Sequence, residues 1–372
     1  MRLFFKILLF TAAFPGSLVA QDDFRVFPYL QNPGTDAMTI LWFSEEPSAG
    51  MCTYWKQGKQ DKNTVHSNPQ PAEAITYSIW EDTTFFEGGA PAEPYRHRVR
   101  IEDLEPGTTY GYSVTQGTTV FSSVFRTAPG ADSPIRFIVY ADSETEPEST
   151  GEPTSWLDPA KDSARIYLVD QTRGYQNNLE VIRSREPDLV IIAGDLVQSG
   201  GEQRDWDEFW RHNTHHVDSL SLAGHVPLLA ALGNHEYYEG PRLDEYDQPG
   251  SERAAKRFLT YFESPANNSP HVEQEGRYYA LEYGPATFIV LDVCNQSPNG
   301  SEHDTNFYLL GENDSGGGHA PDFGPGSTQY NWLESELIRA QERSRFTFVI
   351  FHHAPYSSGP HGFPAGTDES FD

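Results

Sequence analysis

Several apolar runs in the C-terminal two thirds of the chain stop abruptly at side chains carrying oxygen or nitrogen. Residues 135–141 lead into Asp142, residues 188–193 into Gly194 and Asp195, and residues 346–351 into His352 and His353; Leu232 leads into Gly233, Asn234, His235 and Glu236. Short, bounded apolar runs predict buried parallel strands. In an open α/β sheet, ligands bind just past the carboxyl ends of the strands, so these four ends are expected to share one crevice. Helical spacing predicts helices between them. The first covers residues 175–185, with Tyr175, Leu179 and Ile182 on one face and Glu186-Pro187 as the stop. The second covers residues 203–217, where Trp206, Phe209 and Trp210 read as a packing stripe. Two more cover residues 252–262 and 328–343, the last with Tyr330, Leu333, Leu337 and Ile338 apolar. Further strands are predicted at residues 278–283 and 287–292.

Residues 24–127 have a different rhythm. Period-two alternation at residues 39–43, 97–101 and 110–114, with turn residues between, predicts an antiparallel β-sandwich with Trp42 in its core. The breaker cluster at residues 129–134 marks a boundary. The expected architecture is a sandwich over residues 21–128 followed by an α/β domain over residues 135–372, with polar insertions at residues 143–174 and 295–326. His212, His215 and His216 are expected to be solvated, and His303, Asp304 and His319 lack the spacing of a calcium loop.

Charge narrows the partners. The 372 residues carry a formal charge of -28, which argues against nucleic acid and against anionic lipid. An acidic protein that acts on phosphate needs a local source of positive charge, and bound cations supply one. Residues 1–20 combine a basic start, a short apolar core and a small residue at the end, which is a secretory signal rather than a membrane anchor. The mature chain is therefore expected to be secreted or periplasmic. Cys52 and Cys294 are expected to be two buried free thiols.

The strand ends offer carboxylate, carboxylate, amide and imidazole, a donor mix suited to Zn, Fe or Mn. The ordered series Asp142, Gly194-Asp195, Gly233-Asn234-His235-Glu236 and His353-Ala354-Pro355 resembles the calcineurin-like metallophosphoesterase superfamily, and within it the purple acid phosphatases. Residues 104–110 resemble the turn before a late strand of fibronectin type III domains, where a Tyr hydroxyl ties back to the backbone. Purple acid phosphatases of the plant type carry such a module ahead of the catalytic domain.

The resemblance implies two divalent or trivalent metal ions, bridged by Asp195, with Asp142 on the first and Asn234 and His353 on the second. The His-x-Pro spacing selects His353 over His352. His235 would face the substrate as the catalytic imidazole, Glu236 would orient its neighbours, and His361 would contact substrate. Two positions depart from the pattern. Gln198 stands where purple acid phosphatases place a metal-bound Tyr, so no colour is expected, and Glu144 stands where the wider superfamily has a His, so it is expected to be a ligand. The superfamily's final Gly-His-x-His does not occur, so the chain is expected to be a fragment whose metal sites, and hence activity, are incomplete. The implied function is an exported dinuclear-metal phosphoesterase hydrolysing small phosphate monoesters. Alternatives are a phosphodiesterase of the same superfamily and a decayed, non-catalytic surface-binding protein.

Overall fold

The computed structural model describes residues 23–150, 154–155, 164–165, 169–214, 221–240, 248–294 and 320–354. Eight strands before Arg126 form two antiparallel sheets. One runs in the order β1 (Phe24–Gln31), β2 (Met38–Ser44), β6 (Tyr95–Ile101), β5 (Gln70–Pro71), the other β4 (Asn63–His66), β3 (Met51–Lys56), β7 (Thr109–Gln116), β8 (Thr119–Arg126). Inward side chains of both sheets close on fully buried Trp42, whose indole N–H donates to Gln116 Oε1 at 3.0 Å. The Tyr110 hydroxyl accepts the Glu105 N–H at 3.0 Å, the expected tie across the turn. Helix α1 (Ile79–Phe85) starts from a Ser78/Glu81 capping box.

The second half is two three-stranded sheets face to face. The first has the order β13 (Leu228–Ala230), β12 (Leu189–Ile192), β9 (Phe137–Tyr140), all parallel. Its crossovers contain α2 (Gln171–Ser184) and α3 (Gln203–Thr214). A two-strand ribbon, β10 (Thr154–Ser155) with β11 (Ala164–Arg165), lies between β9 and α2 in the chain. The second sheet has the order β14 (Tyr279–Tyr283), β15 (Ala286–Val290), β16 (Phe346–Ile350), an antiparallel pair extended by a parallel one.

Alternation along the strands builds the layers. Leu189, Ile191 and Leu229 of the first sheet meet Ala286, Phe288, Val290 and Ile350 of the second. Val190, Ile192, Leu228 and Ala230 point the other way, onto α2, α3 and α4 (Gln248–Tyr261). On the far side of the second sheet, Ile289 and Leu291 pack under Leu333 and Leu337 of α5 (Thr328–Arg343). The sandwich joins this core directly. Tyr29 and Phe43 belong to the same cluster as Trp206 and Trp210, and the Tyr29 hydroxyl donates to Tyr261 O at 2.6 Å.

Several expectations shift. Helix α2 begins at Gln171, four residues early, because Asp170 Oδ1 accepts the Arg173 N–H at 2.8 Å and caps it. Ile338 is 63% exposed: Leu333, Leu337 and Ala340 set the face that α5 turns to the sheet, and Ile338 lies one step round the helix. His212 is buried rather than solvated, since Glu208 Oε1 lies 2.8 Å from its Nε2 and Tyr175 packs edge-on against its ring. Cys52 and Cys294 are buried free thiols. Phe346, Phe348 and Val349 of edge strand β16 are exposed among the described residues. The signal segment, His215, His216, His303, Asp304, His319 and His361 lie outside the described residues.

Candidate metal centre

Three loops leave the first sheet side by side. Backbone pairing runs past the strands, with Ala193 N donating to Tyr140 O and Ala231 N to Ile192 O, both at 2.8 Å. Beyond this point the chain turns sharply, and Asp142 (φ 55°), Glu144 (φ 38°), Gly194 (φ 93°) and Asp195 (φ 55°) take the left-handed conformation. Such a conformation costs a side-chain-bearing residue about 1–3 kcal/mol and persists only where the surroundings over-determine it. Here they do: Asp142 N donates to Gly194 O at 3.2 Å, and Glu144 N to Asp195 O at 3.0 Å, drawing the first loop along the second.

Glu236 grips the centre from beneath. Its buried carboxylate accepts three backbone N–H groups, those of Asp195 (2.9 Å), Leu196 (2.8 Å) and Gly233 (2.7 Å). Two glycines make the close approach possible. A Cβ on Gly233 would stand 2.1 Å from Asp195 Oδ1, and one on Gly194 would stand 2.7 Å from His352 Nδ1.

Around buried Asp195 the donors converge. Its Oδ2 lies 3.0 Å from His352 Nε2 and 3.8 Å from His235 Nε2, and its Oδ1 accepts the His235 N–H at 3.0 Å. Asn234 Oδ1 is also 3.0 Å from His352 Nε2, its amide being aimed there because Nδ2 donates to the Tyr238 hydroxyl at 2.8 Å. Carbonyls set both imidazoles: His352 Nδ1 donates to Ala193 O at 3.0 Å and His235 Nδ1 to Gln198 O at 2.7 Å. Each ring therefore turns Nε2 inward, the arrangement by which an outer partner orients a metal-ligating histidine. A carboxylate, an amide oxygen and an imidazole Nε2 packed at 3.0 Å need a positive charge among them, a proton or a metal ion. With protons alone, burial opposes charge on His352 but the Asp195 carboxylate prevails and raises it to about 9. Burial likewise opposes ionisation of Asp195, and the two imidazoles overcome it, holding the carboxyl well below its usual range.

The ligand atoms fall into two sets that share Asp195: Asp142, Asp195 and His352, and Glu144, Asp195 and His235. Within each set they lie within 4.8 Å of one another. Oxygen and imidazole donors in two sets with a common carboxylate fit two cations. The structure thus brings together Asp142, Glu144, Asp195, Asn234 and His235 as expected from the sequence, but not His353. His353 is buried with Nδ1 3.7 Å from Cys294 Sγ, and His352 takes the place at Asp195. Strand alternation explains the exchange and could have revealed it. Ile350 faces the first sheet and Phe351 faces α5, so His352 follows Ile350 inward while His353 follows Phe351 outward.

Parallel strands ending in a shared carboxylate and inward-turned imidazoles define an α/β domain with a candidate metal centre behind a β-sandwich. The chain belongs to the calcineurin-like phosphoesterase family, which it matches over residues 162–371, and residues 25–128 match the purple acid phosphatase N-terminal domain. It is 23% identical to the probable purple acid phosphatase 20 of Arabidopsis thaliana, over 90% of this chain and 60% of that protein. It is 26% identical to an uncharacterized protein of Mycobacterium tuberculosis, over 73% of this chain and 45% of that one. A probable inactive purple acid phosphatase 24 of Arabidopsis thaliana is 25% identical over 79% of this chain and 39% of its own length. The chain thus spans about half the length of the curated relatives it matches. Among solved structures, that of PhoD aligns with a TM-score of 0.45 at 14% identity, over 74% of this chain and 52% of PhoD.

Proposed function

We propose that the protein is an exported phosphoesterase that hydrolyses small phosphate monoesters with the help of two cations sharing Asp195. The convergence of Asn234 Oδ1, His352 Nε2 and Asp195 Oδ2 at 3.0 Å, with Glu144 on the other side of Asp195, carries this reading. Residues 1–20 support export, and no described helix is long and apolar enough to cross a membrane.

Asp142, Asp195, Asn234 and His352 would hold one cation, and Glu144 with Asp195 the other. Bound there, the cations withdraw charge from the phosphoryl oxygens and make water a nucleophile at neutral pH. His235 stands 0.8 Å farther from Asp195 Oδ2 than His352 does (3.8 against 3.0 Å), so we assign it to the phosphoryl group. With Nδ1 bonded to Gln198 O, its Nε2 is aimed to carry a proton to the leaving oxygen. Glu236 holds the Asp195 and Gly233 backbones still while charge moves, so the donors need not reorganise. His361 is proposed as a further substrate contact, and the β-sandwich as support for the catalytic half.

The test is hydrolysis of p-nitrophenyl phosphate and bis(p-nitrophenyl) phosphate with added Zn, Mn or Fe. It is run on the 372-residue chain. We expect chelator-sensitive turnover favouring the monoester, abolished in His235→Asn while bound metal is retained. Preference for the diester would move the assignment to a phosphodiesterase. Metal binding with no turnover of either ester would favour a non-catalytic protein.

A further inference from the structure

The donors proposed for the centre come from two sheets, and they are divided unequally. Asp142, Glu144, Asp195 and Asn234 all follow strands of the first sheet, as does the substrate-facing His235, whereas His352 alone follows the second. One cation position therefore depends on the register between sheets, and the other does not. What fixes that register near the centre is a buried polar cluster outside both donor sets.

Tyr237 closes the 3-10 turn that carries His235 and Glu236, and its hydroxyl donates to Asp292 Oδ2. Arg277 Nη1 donates to the same hydroxyl at 2.5 Å and stands 3.6 Å from Asp292 Oδ2. Asp292 lies two residues past β15, the strand paired with β16, and is fully buried. Its Oδ1 accepts the Cys294 N–H at 3.1 Å. Gln329 of α5 clamps its main chain, Oε1 accepting the Asp292 N–H at 2.9 Å and Nε2 donating to Asp292 O at 2.8 Å. Cys294 Sγ then touches Leu232 O at 3.9 Å and His353 Nδ1 at 3.7 Å. A continuous chain of contacts so runs from the turn behind His235, across the sheet interface, to the residue after His352. Both Asp292 oxygens are engaged in it, which suits a joint rather than a ligand.

We propose that Tyr237, Asp292 and Arg277 form a positioning clasp that sets His352 against Asp195 and Asn234, and thereby governs one of the two cation positions selectively. The inference rests on the two-cation reading. Its consequence is a split between two bound ions, which general destabilisation does not produce. Groups bonded directly to a metal ligand are typically worth about 10–100-fold in metal affinity, which sets the ceiling for a clasp that acts through the backbone.

The experiment is Zn2+ titration by calorimetry, with the melting temperature followed in parallel, on the wild-type chain, His352→Ala, Tyr237→Phe and Asp292→Asn. Wild type is expected to show two binding steps, and His352→Ala identifies the step that belongs to His352. In Tyr237→Phe and Asp292→Asn that step weakens, by up to about 10–100-fold, while the other is unchanged. Asp292→Asn leaves Arg277 buried without its counter-charge and can unfold the chain; Tyr237→Phe removes a single hydroxyl and keeps the test open. Equal weakening of both steps, or of neither, overturns the clasp. A wild-type chain that binds a single Zn2+ fails the two-cation reading itself, a result distinct from either.

Discussion

Asp195 is the residue on which the centre turns, and its position is set by its neighbours more than by its own side chain. Glu236 accepts three backbone N–H groups around it. In Glu236→Gln one of these donors faces an amide NH2 instead of an oxygen, an unsatisfied buried group worth about 1–3 kcal/mol. We expect chemical denaturation to show a loss of that order, with metal affinity falling as well; unchanged affinity would remove Glu236 from the account. Gly233→Ala is a second test at this scale. The added methyl would collide with both the carboxylate and the backbone nitrogen of Asp195, so the variant should lose stability in chemical denaturation and bind cations weakly; unchanged cation affinity would remove the close approach from the centre's design. The residue types of the centre were legible in the sequence because each ends an apolar run. The His-x-Pro spacing points to His353, whereas the structure turns His352 towards Asp195, because that spacing says nothing about which face of a strand end is turned inward. That Glu236 orients its neighbours was expected, though not that it does so through three backbone N–H groups; the role of Tyr237 was out of reach, because it depends on Asp292, 55 residues away.

At the scale of elements, apolar periodicity located the α/β strands and four helices, including α5 at its full extent (Thr328–Arg343), but only three of the sandwich strands; β1, β3, β4, β5, β8, the short ribbon β10–β11 and helix α1 were not legible, and boundaries failed where polar side chains decide them. The early start of α2 is a capping effect. The N-terminus of α3 carries a similar hidden feature. Glu202 is buried beside Glu81, Glu146 and Glu148; burial first, then these carboxylates, push its carboxyl from the ordinary 4.5 up to about 8, against the pull of Arg204. The folded chain therefore holds this proton more tightly than the unfolded chain. The associated stability is complete below about pH 4.5 and is lost as pH rises towards 8. Glu202→Gln should flatten that decline and raise the melting temperature at pH 8. A variant with the wild-type pH profile would show that Glu202 titrates normally. The exposed β16 edge suggests its own measurement. Phe346→Lys places a charge on the strand that, among the described residues, ends its sheet, and should reduce self-association seen by light scattering.

For the whole molecule, one face of the sandwich packs into the core of the α/β half while the other closes on its own core around Trp42, as expected if the N-terminal module supports the site rather than riding as a tethered passenger. Tyr29 against Trp210 and the Tyr112 hydroxyl bonded to Gly224 O at 2.6 Å make this concrete. The wider centre also bears on colour. Gln198 replaces the expected phenol, and Tyr140 is turned to Tyr175, hydroxyl to hydroxyl at 2.9 Å. An iron-loaded sample should be colourless, and an intense visible band would point to Tyr238, which packs 4.4 Å from His235. The central claim, two cations held through one carboxylate, is tested most directly by counting metal. Elemental analysis of the protein should find two ions per chain in the wild type and close to none in Asp195→Asn. Two ions retained in Asp195→Asn would contradict the claim.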